Sequence, residues 1–223
     1  MASQLHRTVK SNLVEELRDA IILGEYVPGQ YLRLEDIAAR FDISTTPVRE
    51  ALRDLEVEGL VTIFPHRGAV VTQLSADDLL DIYEVRATLE EMATRLAVPN
   101  MGEDTFAQLE LYIEQMDDHL GELATLVKLN HNFHYTLYCA SGRRHLCELT
   151  SILRRRTQHY LHAYISHLGG MPVAQEEHRA VIEACRSGEA EHAARIIYEH
   201  VNHVGNSIIE YVHEQEREKE STV

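Results

Sequence analysis

The sequence predicts a mainly α-helical protein built in two parts, residues 1–73 and 74–223. Three observations carry that expectation. From Ser75 onward every strong apolar pattern repeats at i, i+3, i+4, i+7, the spacing of one helix face, with no strand-like alternation. The strand-like runs, "LVTIF" and "GAVVTQL", lie close together before that point. Charge is also divided. Residues 1–72 hold 8 Lys and Arg against 11 Asp and Glu, the remainder 13 against 25, so the second part carries −12 of the formal −15. A hydrophobic fraction of 44% and a charged fraction of 26% are ordinary for a globular chain. No apolar run approaches the roughly 20 residues a bilayer requires, and "MASQLHRTVKSNL" lacks the apolar stretch of a secretory signal. Three cysteines, an odd number without CxxC spacing, fit a reduced, cytoplasmic setting in which they serve as small buried hydrophobes.

In the first part, Val9, Leu13, Leu17, Ala20 and Ile21 share one face of a helix running to about Leu23. "GEYVPGQ" breaks the chain, with Pro28-Gly29 as a turn signal. Leu34, Ile37, Ala38 and Phe41 mark a short second helix, and Val48, Ala51, Leu52 and Leu55 a third, separated by "DIST". Ser44 or Thr46 can cap the third helix, and Pro47 is tolerated in its first turn. Two short helices joined so closely make a helix-turn-helix. The outer face of the third carries Thr45, Thr46, Arg49 and Arg53, and its N-terminal amides suit a phosphate. The two strand-like runs, joined by "PHRG", form a hairpin with His66 and Arg67 at its tip and Gly68 allowing close backbone approach. This is a winged helix-turn-helix; the plainer alternative is a small helical unit that binds protein.

The stretch "IILGEYVPGQYLRLEDIAARFDISTTPVREALRDLEVEGLVTIFPHRGAVV" resembles the winged helix-turn-helix of the GntR family of bacterial transcription regulators. The resemblance covers roughly Val9 to Thr72 and implies that Ser44, Thr46, Arg49, His66, Arg67 and Gly68 face DNA. Family members usually carry Arg at the position of Thr45. Threonine cannot make the bidentate contact to guanine that Arg makes, so base preference is expected to differ. The excess acid does not contradict this reading. Arg49, Arg53, Arg67 and helix amides neutralise phosphates locally, while remote acid weakens non-specific binding.

In the second part, helices are predicted over 76–98, 104–119, 122–140, 144–167, 172–186 and 189–215, giving an all-α bundle with a charged, frayed tail "EQEREKESTV". Among 14 histidines, three sit on apolar faces of three different helices. His134 lies with Leu126, Phe133 and Leu137, His178 with Val181, Ile182 and Cys185, and His200 with Ala193, Ile196, Ile197 and Val204. One such residue is ordinarily a satisfied core histidine. Three need partners, and one shared metal satisfies all of them. Asn130, one turn before His134, can add an oxygen. Arg86 lies on the inward face of its helix, open either to a pairing with Glu90 or to the same pocket. His203 falls behind His200, and the remaining histidines read as exposed or scattered.

"NHNFHYTLYCASGRRHL" and "EEHRAVIEACRSGEAEHAARIIYEH" resemble the C-terminal FCD ligand domain of the FadR-type branch of that family. Metal-binding members use one Asp and three His, at the positions of Asn130, His134, His178 and His200; Asn for Asp removes a charge and weakens the metal. A three-nitrogen, one-oxygen set suits zinc or nickel. The resemblance implies that Arg86 helps hold an effector carboxylate. The expected protein is therefore a transcription regulator, and no enzyme, whose affinity for double-stranded DNA changes when a small organic acid binds near a divalent ion. A homodimer on a near-palindromic operator is expected, joined through the bundle, because one winged helix reads one half-site. Two alternatives are a metal-free regulator binding an acyl or other apolar ligand, and a metal-dependent hydrolase with an attached DNA-binding unit. Against the second, the chain has no HExxH motif, no phosphate-cradling glycine loop and no carboxylate clearly placed as a base.

Overall fold

The computed structural model describes residues 2–64 and 68–221, with side chains from Lys10 to Glu218 and at Ser221. The chain divides into two compact units, 1–73 and 74–223.

The first unit holds α1 (Ala2–Ile22), β1 (Tyr31–Leu32), α2 (Leu34–Phe41), α3 (Thr45–Val57), β2 (Val61–Phe64) and β3 (Gly68–Val71). Leu13, Leu17 and Ile21 of α1 pack with Ile37, Val48, Leu52 and Leu55, and with Leu32, Val61, Ala69 and Val71 of the strands. Asp42, in the left-handed conformation at φ 51°, ends α2, and its N–H bonds back to the carbonyls of Ala38 and Ala39. Arg18 grips Glu58 through two hydrogen bonds of 2.8 and 2.6 Å, tying α1 to the end of α3. The hairpin pairs Thr62 with Val70 and Ile63 with Ala69. Periodicity does not reveal β1, because two residues are too short to alternate; it adds an outer strand in the order β1-β3-β2.

Gly68 has a structural reason the sequence reading did not anticipate. Its φ is +96°, and an added Cβ would stand 2.7 Å from the Leu32 carbonyl oxygen. The close approach expected there is made to β1 of the same chain.

The second unit holds α4 (Ala76–Ala97), a 3-10 turn at Val98–Asn100, α5 (Glu103–Asp118), α6 (Leu123–Cys139), α7 (Arg144–Ser166), α8 (Met171–Arg186) and α9 (Ala190–Glu220). Ser75 caps α4 reciprocally: its hydroxyl accepts from the Asp78 N–H at 3.1 Å, and the Asp78 carboxylate accepts from the Ser75 N–H at 3.0 Å. The long pairing of α4 against α9 depends on Gly205, where a Cβ would come within 2.7 Å of the Tyr83 ring. Two expectations are corrected. The tail is helical to Glu220, since its Glu, Gln, Arg and Lys residues are good helix formers. Cys139 and Cys147 are joined as a disulfide across the α6–α7 turn, with Cα atoms 5.1 Å apart; an odd count hid the pair. Cys185 is the buried small hydrophobe expected, and burial pushes its thiol up to about 12. Among the described residues, no helix is long and apolar enough to cross a membrane.

Candidate functional site

His134 on α6, His178 on α8 and His200 on α9 meet inside the bundle. Their exposures are 1%, 0% and 5%, and one ligand nitrogen from each lies within 4.8 Å of the others. Each Nδ1 is committed to an oxygen whose role is fixed by its neighbours. His134 Nδ1 lies 2.9 Å from the Tyr138 hydroxyl, which donates its own proton to Glu90 at 2.5 Å and so accepts from the imidazole. His178 Nδ1 lies 3.1 Å from Gln175 Oε1. That amide is oriented by its nitrogen, which donates to the Ile113 carbonyl at 3.2 Å and to Asp117 at 2.9 Å. His200 Nδ1 lies 2.6 Å from the Glu177 carboxylate, whose second oxygen takes His203 at 3.0 Å.

Each Nδ1 thus faces an acceptor, and in the neutral rings of His134 and His178 the proton sits on Nδ1 and leaves Nε2 with its lone pair. The Nε2 atoms of His134 and His178 face each other at 3.1 Å. Two lone pairs at that distance repel unless something positive lies between them. Tetrahedral ligands about 2.0 Å from zinc stand about 3.3 Å apart, so the spacing fits a shared ion. Burial holds both of these imidazoles well below the usual histidine value, and Arg154 beside His134 and His200 beside His178 lower them further. Neutral imidazole is the form that binds metal.

Asn130 (4% exposed) and Arg86 (6%) line a cavity with His134 and His200. Arg86 satisfies both sequence alternatives. Its Nε bonds Glu90 at 2.8 Å, its Nη1 bonds Thr157 at 2.8 Å, and its guanidinium lies 4.5 Å over the Tyr83 ring while still facing the cavity. Burial alone would raise the Glu90 carboxyl, but Arg86 and Arg154 outweigh it and hold the group below the usual carboxylate range.

Sequence reasoning missed Arg154. It donates to Glu90 at 3.1 Å and to Asn130 Oδ1 at 3.2 Å, and its buried Nε has no hydrogen-bond partner. Arg154 stands in a run of three arginines, Arg154-Arg155-Arg156; the available signal was Thr157 and Leu161 at i+3 and i+7 from Arg154. Tyr164 was missed too, and its buried hydroxyl, also without a partner, belongs to a residue lining the cavity. His131, expected to be scattered, lines it as well. The free space is about 30 Å³, room for one or two waters.

In the first unit, α3 presents Ser44, Thr46, Arg49 and Arg53 in exposed positions, with Thr45 half-buried. Ser44 occupies the N-cap position, but its side chain makes no capping bond, and Thr46 lies within the helix. Arg18 and Arg40 are tied to Glu58 and Glu25, whereas no ion pair involves Arg49 or Arg53 among the described residues. Arg33, just before α2, is exposed, and its Cα lies 3.9 Å from where a Gly68 Cβ would stand, beside the hairpin. Sequence reasoning missed it because no periodic face marks it. His66 and Arg67 lie outside the described residues.

An exposed helix with uncommitted arginines next to a short hairpin, followed by a helical bundle whose cavity is lined by histidines and arginines, defines a winged-helix transcription regulator with a ligand-sensing domain. Comparison with known proteins makes the assignment specific. Residues 9–71 match the bacterial regulatory proteins of the gntR family, and residues 81–203 match the FCD domain. The chain is 30% identical over 195 residues to the uncharacterized HTH-type transcriptional regulator YdhC of Bacillus subtilis, covering 84% of this chain and 85% of that one. It is 28% identical over 202 residues to a probable D-xylose utilization operon transcriptional repressor of Paenarthrobacter nicotinovorans, covering 87% and 88%. The solved structure of E. coli McbR/YncC shares the fold, with a TM-score of 0.79 at 23% identity, covering 92% and 97%. The chain belongs to the GntR family of transcription regulators and carries an FCD domain. Its relatives are regulators and not enzymes.

Proposed function

We propose that this regulator represses its target by binding a near-palindromic double-stranded operator as a homodimer, and that its bundle holds one divalent ion beside a small organic acid that modulates DNA affinity. In this reading residues 1–73 bind DNA, and residues 74–223 bind the ion and the acid and join the two copies. The metal is supported by one observation above all: one ring nitrogen from each of three buried histidines converges inside the bundle, and each Nδ1 is held by an oxygen that fixes its ring. His134, His178 and His200 would hold the ion, with the Asn130 oxygen as a weaker fourth partner; zinc or nickel suits that set. When bound, such an ion polarises and orients a carboxylate in its open position. Arg86 and Arg154 supply guanidinium partners from the same cavity. The small free space favours a small acid over an acyl chain.

On the DNA side, Ser44, Thr45, Thr46, Arg49 and Arg53 of the α3 end, with His66, Arg67 and Gly68 of the hairpin, form the interface, and Arg33 adds a phosphate contact. Native mass spectrometry with elemental analysis of the purified protein tests the metal. One divalent ion per chain is expected, with a melting temperature that falls on chelation. Absence of metal together with unchanged melting would leave the histidines as core residues only. Footprinting tests the rest: protection of a two-fold sequence is expected, and lack of any protected site would remove the operator reading.

A further inference from the structure

The cavity's charges do not balance once an ion is placed in it, and the reason lies in two residues. Asn130 contributes no charge, and its oxygen already accepts a hydrogen bond from Arg154 at 3.2 Å. Around the three histidines stand two cations, Arg86 and Arg154, and two carboxylates, Glu90 and Glu177. Neither carboxylate is available as a donor to the ion. Glu90 is fully buried, with one oxygen bonded by Arg86 and the other by both Arg154 and Tyr138. Glu177 uses both oxygens on His200 and His203. The four charges sum to zero, so a divalent ion leaves two positive charges uncompensated among neutral donors. The ion would also sit close to the Arg154 guanidinium, whose buried Nε has no partner.

We infer that the metal and the anion bind this site cooperatively, the anion supplying through Arg154 and the ion's open position the negative charge that Asn130 does not. The ion alone is held weakly, and the anion alone finds Arg154 partly engaged by Glu90 and Asn130. Together each removes the other's electrostatic penalty, and by linkage each raises the other's affinity by the same factor. The regulator then responds to the pair rather than to either component. This inference rests on the metal-and-acid reading above.

The test uses the full-length, metal-stripped protein and zinc, with affinity measured by competition against a fluorescent chelator in buffer alone, with acetate, and with succinate. At least a tenfold tightening of zinc binding by one of these anions is expected, matched by an equal gain in anion affinity when zinc is present. Asn130→Asp should bind zinc more tightly without any anion and reduce the coupling below threefold. Arg154→Gln should also lower the coupling, by removing the anion's partner. Zinc binding that is equally tight with and without both anions overturns the inference and leaves the metal reading standing. Zinc binding under none of the conditions removes both. Undiminished coupling in Asn130→Asp shows that the missing charge at residue 130 is not its cause.

Discussion

The two units use arginine in opposite ways. On α3, Arg49 and Arg53 stand exposed and without ion pairs among the described residues, their charge open to a partner from outside. In the bundle, Arg86 and Arg154 are enclosed and share Glu90. An exposed guanidinium costs little to maintain and gains most when a phosphate arrives. A buried one is tolerated only because its counter-charge is already in place, so any ligand must fit a balanced network. The overall charge of −15 thus says little about DNA binding, because the surface that matters is set by a few local cations.

This contrast can be broken most severely at Glu90. Glu90→Ala leaves two buried arginines without their carboxylate and should cost about 3–5 kcal/mol of stability, read by urea unfolding. A loss below about 1 kcal/mol would mean that the network is wet and the arginines are not enclosed.

The next largest effect is on pH. Unfolded histidines protonate near 6.5, whereas burial and neighbouring charge hold His134 and His178 well below that in the folded chain. Below pH 6.5 the unfolded state therefore binds more protons, and stability falls as pH falls, until the folded groups themselves protonate. Two such groups give a slope of up to about 2.7 kcal/mol per pH unit. Unfolding of chelator-treated protein at pH 7.5, 6.5 and 5.5 should show a flat upper segment and a drop in the lower one, reduced when both histidines are replaced by glutamine.

On the DNA side, Arg49→Ala should weaken operator binding by about 1–3 kcal/mol while leaving the melting temperature unchanged. Gel shift and thermal melts, run side by side, check both halves of that statement. Unaltered affinity would remove Arg49 from the interface.

The smallest effects come from two serines at helix starts. Ser75 makes a reciprocal cap and Ser44 makes none. Ser75→Ala should cost about 1 kcal/mol of stability, and Ser44→Ala less than about 0.5 kcal/mol, with its effect appearing in DNA affinity instead. Equal stability losses would indicate that Ser44 serves the fold.

Where these residues stand was legible in the sequence to the extent that helical periodicity is local. A repeat at i, i+3, i+4 is visible within any dozen residues. It placed α3 and its exposed arginines, located the six long helices of the bundle, and turned His134, His178 and His200 inward on three of them. The family's winged helix and FCD domain were legible in the same way, through contiguous motifs such as "TPVREAL".

Tertiary structure decided what each inward side chain meets. Arg154 reaches Asn130 across 24 positions and Glu90 across 64, partners that its helical spacing to Thr157 and Leu161 does not reveal. Tyr138 and Gln175, which keep the imidazole protons on Nδ1, were hidden because their hydrogen bonds run between helices or depend on an amide oriented from another helix. The close approach of Gly68 to β1 was hidden because a two-residue strand leaves no pattern to read. Periodicity specifies a direction from the helix axis, which the backbone alone determines; the partner at the end of that direction is chosen by packing among segments far apart in the chain, where desolvation makes every unpaired charge and hydrogen-bonding group costly.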